Sequence, residues 1–274
     1  MSQYTYAFPP GGLPGQDQSP EGIAIFTEAY AVLPAVTHTD IVTSFLPNWH
    51  STRAWILARP LTGFAETFAQ LAVEVAPGGG SDAPEPDPLA ESVVFLARGA
   101  AQIIIDGKTH DLSSGGYAYL APGCRWAIYN RTETDVQFHW IRKRYQGAEG
   151  IKPPVSFVTS DQESKINLMA NTDLWGTTRF VEPVDLRHDM HVNIVTFQPG
   201  GLIPFAETHV MEHGLYVLQG TAKYLLNKDW VDVGPGDFMW LRAFCPQACI
   251  ATGDEPFRYL LYKDVNRHPS LTLA

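Results

Sequence analysis

The chain has few cysteines, few charges and no long apolar run. Three cysteines in 274 residues, Cys124, Cys245 and Cys249, are too few, and odd in number, for a disulfide framework. Buried free thiols are the expected state, because free cysteine behaves as a small hydrophobe. No stretch reaches the roughly 18 apolar residues of a membrane span. The start, Met1-Ser2-Gln3-Tyr4-Thr5-Tyr6, has neither a basic nor an apolar leader region. A soluble, cytoplasmic protein is expected. Positive charge is also scarce: 19 Lys and Arg stand against 29 Asp and Glu, a net charge of −10. That excess argues against nucleic acid and against a polybasic membrane face, and leaves a small molecule as the expected partner.

Turns and apolar residues are plentiful. Hydrophobic residues make up 45% of the chain, enough for a sizeable core, and 23 Gly with 21 Pro favour short strands over long helices. Leu71-Ala72-Val73-Glu74-Val75, Gln102-Ile103-Ile104-Ile105, Tyr117-Ala118-Tyr119-Leu120 and Val192-Asn193-Ile194-Val195 read as strands. Turn chemistry separates such runs at Asp106-Gly107, Ser113-Ser114-Gly115-Gly116, Pro122-Gly123 and Gly234-Pro235-Gly236-Asp237. Many short, evenly spaced strands predict an all-β sandwich or barrel. A helical turn or two could open only at Ala90-Glu91 or Ser160-Asp161-Gln162-Glu163.

The chain repeats itself. Glu91-Ser92-Val93-Val94-Phe95-Leu96-Ala97-Arg98-Gly99 resembles Glu212-His213-Gly214-Leu215-Tyr216-Val217-Leu218-Gln219-Gly220. At the same offset, Asp111 to Leu120 lies over Asp232 to Leu241, and Cys124 over Cys245. Two copies of one β unit follow, an N-terminal one over 1–150 and a C-terminal one over 151–274. They divide in the Gly/Pro stretch Gln146 to Pro154.

The copies differ where chemistry would be expected. The second holds Glu207-Thr208-His209-Val210-Met211-Glu212-His213. Imidazole and carboxylate are the donors that hold borderline and hard divalent metals. In the first copy Pro86, Pro88 and Ser92 stand where Glu207, His209 and His213 stand. A site carried by one copy of a shared scaffold fits this difference; a run of structural polar residues is the alternative. Glu207 and His209 share a face of a strand. His213 would lie about 20 Å from Glu207 in an unbroken strand, so a shared ion requires a bend between Val210 and Glu212. Gln247 is the best candidate for a fourth ligand. His188 and His191 are a rival pair, facing opposite sides if both lie on one strand. His110 and His139 read as core or strand-surface histidines. Arg142-Lys143-Arg144 reads as a solvated strand end, and Pro84-Glu85-Pro86-Asp87-Pro88 as a rigid lid or spacer.

Two β-barrel copies with His-x3-His, Gly-x-Tyr-x-Leu-x-Gly and a later Pro-Gly-Asp resemble a bicupin. The usual cupin pattern of His-x-His, Glu and a later His is altered here: Glu207 replaces the first His, His213 the Glu and Gln247 the last His. That set resembles the (S)-ureidoglycine aminohydrolase family of purine (allantoin) breakdown, through Tyr259-Leu260-Leu261-Tyr262-Lys263-Asp264. The resemblance implies Mn²⁺, or another divalent transition metal, held by Glu207, His209, His213 and Gln247. It implies substrate contacts from Glu207, Gln247, Tyr259 and Lys263, with Glu207 and Lys263 catalytic. The reaction would be hydrolysis of (S)-ureidoglycine to (S)-ureidoglycolate and ammonia. Barrels of this family pair, so a homo-oligomer is expected, with the arm Phe8 to Gly15 as a segment that could cross to a neighbour. A different metal-dependent bicupin, such as a dioxygenase or isomerase, and a non-catalytic small-molecule-binding cupin are the competing readings.

Overall fold

The computed structural model describes residues 24–39, 42–44 and 46–265; the arm Phe8 to Gly15 lies outside them. Among the described residues there are strands and short 3-10 turns, and no α-helix. Local pairing follows the sequence signals. In Ala100–Ile105 alternate residues Ala101, Ile103 and Ile105 are buried, the period-2 pattern of a strand with one face on a core. Asp106 and Gly107, both at positive φ, then close a two-residue hairpin onto Lys108–Ser113, as a type I′ turn demands. Ala90–Glu91 begins the long strand Ala90–Arg98 rather than a helical turn, and Ser160 ends a strand before a turn.

The first barrel is a nine-stranded sheet. It runs Phe157–Ser160, Gly116–Leu120, Ala90–Arg98, Val136–Arg144, Ala69–Ser81, Trp126–Tyr129, Ala100–Ile105 and Lys108–Ser113, with His50–Ala58 also on Ala69–Ser81. Gly80 allows Ala69–Ser81 to change partners. A Cβ there would stand 2.1 Å from the carbonyl oxygen of Ile128, at a φ of 142°, so only glycine lets the strand turn this corner. The second barrel combines an eight-stranded and a three-stranded sheet. The larger runs Ile25–Phe26, Tyr30–Leu33, Phe238–Leu241, His213–Gln219, Phe257–Asp264, Met190–Phe197, Trp175–Arg179 and Ile166–Leu168. The smaller runs Asp229–Val233, Ala222–Leu226 and Gln247–Ala251.

The two sheets exchange edges. Tyr30–Leu33, near the start of the first copy, pairs with Phe238–Leu241 of the second. Phe157–Ser160, at the start of the second copy, pairs with Gly116–Leu120 of the first. Each exchange covers an edge that would otherwise expose unpaired backbone groups.

Several strands are buried on both faces, which is why they read as continuous apolar runs rather than as alternation. In Phe238–Leu241, Met239 and Leu241 enter the second barrel's core, while Phe238 and Trp240 enter a core between the barrels. Tyr117 and Tyr119 enter that same shared core from the first barrel, and Ala118 and Leu120 enter the first barrel's own core. Phe68 stacks on Tyr262 across the junction, with ring centroids 3.8 Å apart.

Only the outer end of the basic run is solvated: Arg144 is 66% exposed, against 27% for Arg142. Arg142 and Arg144 pair with Glu85 and Asp87 of the proline-rich loop, and Lys143 makes an ion pair of 2.7 Å with Asp189. The side chains of Lys143 and Asp189 are only 8% and 4% exposed, so this pair belongs to the junction between barrels. The loop 84–88 is thereby fastened over the first barrel by its carboxylates.

Candidate metal centre

Glu207 is placed by a backbone bridge to Gln247. The two residues exchange N–H···O bonds of 2.9 Å in both directions, so their side chains leave the same face of the paired segments. Phe244, at a φ of 65°, donates its N–H to the carbonyl of His209 at 2.6 Å. The chain bends at Val210 and Met211, and the next strand starts at His213. The bend falls where a shared site required it. Glu212 anchors it: its own N–H donates to Asp264 at 2.6 Å, and its carboxylate accepts from Glu66, Thr67 and Trp240.

These constraints set Glu207 beside Gln247 and His209, and His209 beside His213. His209 Nε2 lies 3.5 Å from Glu207 Oε2. Two donors bound to one ion at about 2.1 Å stand roughly 3–3.5 Å apart, so this pair already has ligand spacing. The rings of His209 and His213 lie 5.3 Å apart. His213 Nδ1 is 3.0 Å from the carbonyl of Met211, which assigns the proton to Nδ1 and leaves the Nε2 lone pair free, the state a metal needs. Burial, then the charges of His209 and Lys263, push its pKa down to about 3, so the ring is neutral at neutral pH. Gln247 is 4% exposed, and its Oε1 accepts a 2.9 Å bond from Tyr224. Among the described residues no three of His, Cys, Asp and Glu stand in metal-holding geometry, so Glu207, His209 and His213 are neighbours that do not close on a common point in this structure. Two imidazoles, one carboxylate and one amide oxygen are donors that suit a divalent ion and leave it with net positive charge.

Tyr259 and Lys263 lie on Phe257–Asp264 and project to the same side. Tyr259 is in the barrel core, its hydroxyl 3.4 Å from that of Tyr224. Burial holds both phenols well above the ordinary range, so both remain hydrogen-bond donors. Lys263 is in register with His213 on one neighbouring strand and with His191 on the other. Burial, then the charge of Arg179, lowers its ammonium.

Sequence reasoning missed Tyr224, Asn193 and Arg179. Tyr224 carried no motif; only the pairing of Ala222–Leu226 with Gln247–Ala251 brings it to Gln247. Of the rival histidines, His191 faces the barrel interior beside Lys263. His188 lies before the strand and meets Tyr119 edge-on between the barrels. His139 is a buried core residue against Tyr216. Cys245 and Cys249 are buried free thiols. A cavity of about 140 Å³ opens beside His191 and Lys263. A larger one, about 610 Å³, lies away from the cluster among Thr67, Lys143, Asp189 and Asp264. Its Lys143 and Asp189 already neutralise each other, so volume alone does not make it the reactive site.

Comparison with known proteins agrees with this architecture. A model of the cupin domain matches residues 193–262, and a model of the EutQ-like cupin domain matches 62–145. A protein from Pseudomonas aeruginosa described as glyoxylate-induced has a solved structure with a TM-score of 0.87. It is 58% identical over 93% of this chain and 96% of its own. Oxalate decarboxylase of Bacillus subtilis, 12% identical with a TM-score of 0.62 over 84% and 78% of the two chains, shares the fold. The (S)-ureidoglycine aminohydrolase of Arabidopsis thaliana is 27% identical over 94% of this chain and 81% of its own. That of Escherichia coli (strain K12) is 30% identical over 85% of this chain and 88% of its own. With identity extending through both barrels, the chain belongs to the (S)-ureidoglycine aminohydrolase family of bicupins.

Proposed function

We propose that the protein is a metal-dependent aminohydrolase converting (S)-ureidoglycine and water to (S)-ureidoglycolate and ammonia in purine breakdown. One observation carries the reading: the bridge between Glu207 and Gln247 that sets Glu207 3.5 Å from His209, in a chain of this family. Glu207, His209, His213 and Gln247 would hold one Mn²⁺ or a similar divalent ion. When bound, the ion supplies Lewis acidity toward the substrate and the attacking water.

The remaining work falls to the chain. Lys263 offers a point charge to the substrate's carboxylate. Tyr259, kept protonated by burial, donates a hydrogen bond within the pocket. The apolar walls Leu215, Val217 and Phe257, all fully buried, exclude bulk water below the reacting carbon. In the net reaction the C–N bond to the amine breaks, a C–O bond to water forms, and the departing nitrogen takes a proton. Glu207 acts first as a ligand, since a metal-bound carboxylate is a weak base.

The test is purification with the native metal, elemental analysis, and addition of freshly generated ureidoglycine. Bound transition metal and ammonia release well above the spontaneous rate are expected. Release at the spontaneous rate would sink the reading. Glu207→Gln should lose activity and metal together; activity lost with metal retained would give Glu207 a proton-transfer role instead.

A further inference from the structure

The mouth of the second barrel carries more unmatched positive charge than Lys263 alone. Arg179 is in register with Asn193, His191 with Lys263, and Lys263 with His213. Paired residues of antiparallel strands project to one face. On these strands that face also carries Trp175, Val195, Phe197, Leu215 and Tyr259, which form the second barrel's core. Arg179, His191, Asn193 and Lys263 are therefore its polar rim.

Arg179 and Lys263 make no ion pair or hydrogen bond among the described residues, whereas Arg53, Arg142, Lys143, Arg144, Arg187 and Arg258 are each paired with a carboxylate. What sets Arg179 and Lys263 apart is their place: both are half-buried at the rim of a barrel interior. Next to them, His191 and Asn193 are 5% and 4% exposed, and His191 Nδ1 and Asn193 Oδ1 have no hydrogen-bond partner. Buried polar atoms are left bare where a ligand completes them.

The first barrel shows what this position accepts. In the internal repeat Arg142 stands where Lys263 stands, and its guanidinium pairs with Glu85 of its own loop. Ser92, where the second copy has His213, adds a 3.4 Å contact to the same carboxylate. The residue matching Glu85 in the second copy is Ala206. The first barrel thus pairs this position with a carboxylate of its own loop, whereas in the second the carboxylates acting on Lys263, Glu207 and Asp264, make no ion pair with it.

We propose that Arg179 and Lys263 together receive the substrate's α-carboxylate, that Asn193 Oδ1 accepts from an N–H of the substrate's amine or ureido group, and that Arg179 sets the preference for an acid over its neutral analogue. The proposal rests on the aminohydrolase reading only for the identity of the substrate. Arg179 provides a planar fork suited to a carboxylate, and Lys263 a second point charge.

The probe is N-carbamoylglycine, which keeps the ureido group and carboxylate and lacks the reacting amine, compared with its neutral amide. Both are titrated calorimetrically into metal-loaded wild type, Arg179→Gln and Arg179→Lys, with circular dichroism as the check on folding. Wild type should bind the acid at least 10-fold better than the amide. Arg179→Gln should weaken the acid about 10- to 100-fold, the usual worth of a hydrogen bond to a charged group, and leave the amide unchanged. Arg179→Lys should fall between. Equal binding of acid and amide by wild type, or undiminished acid binding by Arg179→Gln, overturns the proposal. If ureidoglycine is not hydrolysed yet the preference depends on Arg179, the receptor stands and the functional reading falls. If it is hydrolysed with an unchanged KM in Arg179→Gln, the reverse holds.

Discussion

Glu212 and Thr67 are joined across the two barrels: the N–H of Thr67 donates to Glu212 Oε2 at 2.9 Å and its hydroxyl at 2.5 Å. Glu66 N–H and Trp240 Nε1 donate to the other oxygen, each at 2.6 Å. Four donors on one buried carboxylate fix the residue that precedes His213. The first barrel, which lacks the candidate ligands, thereby fixes the backbone position from which His213 starts in the second. Glu212→Ala would strand these donors, and losing a buried hydrogen-bonded charge costs roughly 3–5 kcal/mol. Urea unfolding should register that loss, with a smaller one for Glu212→Gln. Elemental analysis should find less metal in the folded fraction of both variants. Full metal occupancy in Glu212→Ala would separate the bend from the site.

Tyr224 should matter to function although it carries no reacting group. Its hydroxyl donates to Gln247 Oε1, the atom that would face the ion. Tyr224→Phe keeps the ring and removes the donor, at a cost of about 1 kcal/mol in stability. Gln247 is then free to rotate, so metal affinity and kcat should both fall while the melting temperature changes by a few degrees. Because burial keeps the phenol protonated, the effect should be the same from pH 6 to pH 9. A defect confined to high pH would contradict this account.

Acid sensitivity should trace in part to His139, which is outside the candidate ligand set. It is 3% exposed, its ring centroid 4.0 Å from that of Tyr216 in a tilted contact, and burial, with the charge of His38, pushes its pKa down to about 3. The unfolded ring titrates near pH 6.5. The unfolded chain therefore binds the extra proton first, and stability falls as the pH drops from about 6.5 toward about 3. At pH 5 the loss is about 2 kcal/mol, at 1.36 kcal/mol per unit. His139→Phe, which keeps the ring contact, should narrow the gap between melting temperatures at pH 7.5 and pH 5. An unchanged gap would assign the acid lability to other groups.

Much of the fold was legible in the sequence because local signals set it. Asp106-Gly107 marked a hairpin, the period-2 runs marked strands, and the repeat marked two barrels. The bend at Val210 to Glu212 followed from chain reach alone. What could not be read depended on register between distant strands. Arg142-Lys143-Arg144 looked solvated because its carboxylate partners Glu85, Asp87 and Asp189 are remote in sequence. Tyr224, Arg179 and Asn193 become site residues only through which strand lies beside which. His191 was weighed against His188 as if both lay on one strand, but the strand begins at Met190.

Gly214, directly after His213, gives the last prediction. It is forced by packing, not by φ: a Cβ there would lie 2.6 Å from the ring of Phe68 and 3.3 Å from Gln70 Oε1. Phe68 is 1% exposed and stacked on Tyr262, so its ring cannot simply swing away. Gly214→Ala should therefore destabilise by about 1–3 kcal/mol, the usual cost of overpacking, and displace the strand that carries His213. Phe68→Leu alone creates a cavity and also destabilises. The two defects are complementary in shape, so the double variant should be less destabilised than the sum of the singles, with a coupling of about 1 kcal/mol or more. Metal affinity should recover with it. Strict additivity in denaturant unfolding would mean that something other than the ring of Phe68 excludes a side chain at Gly214.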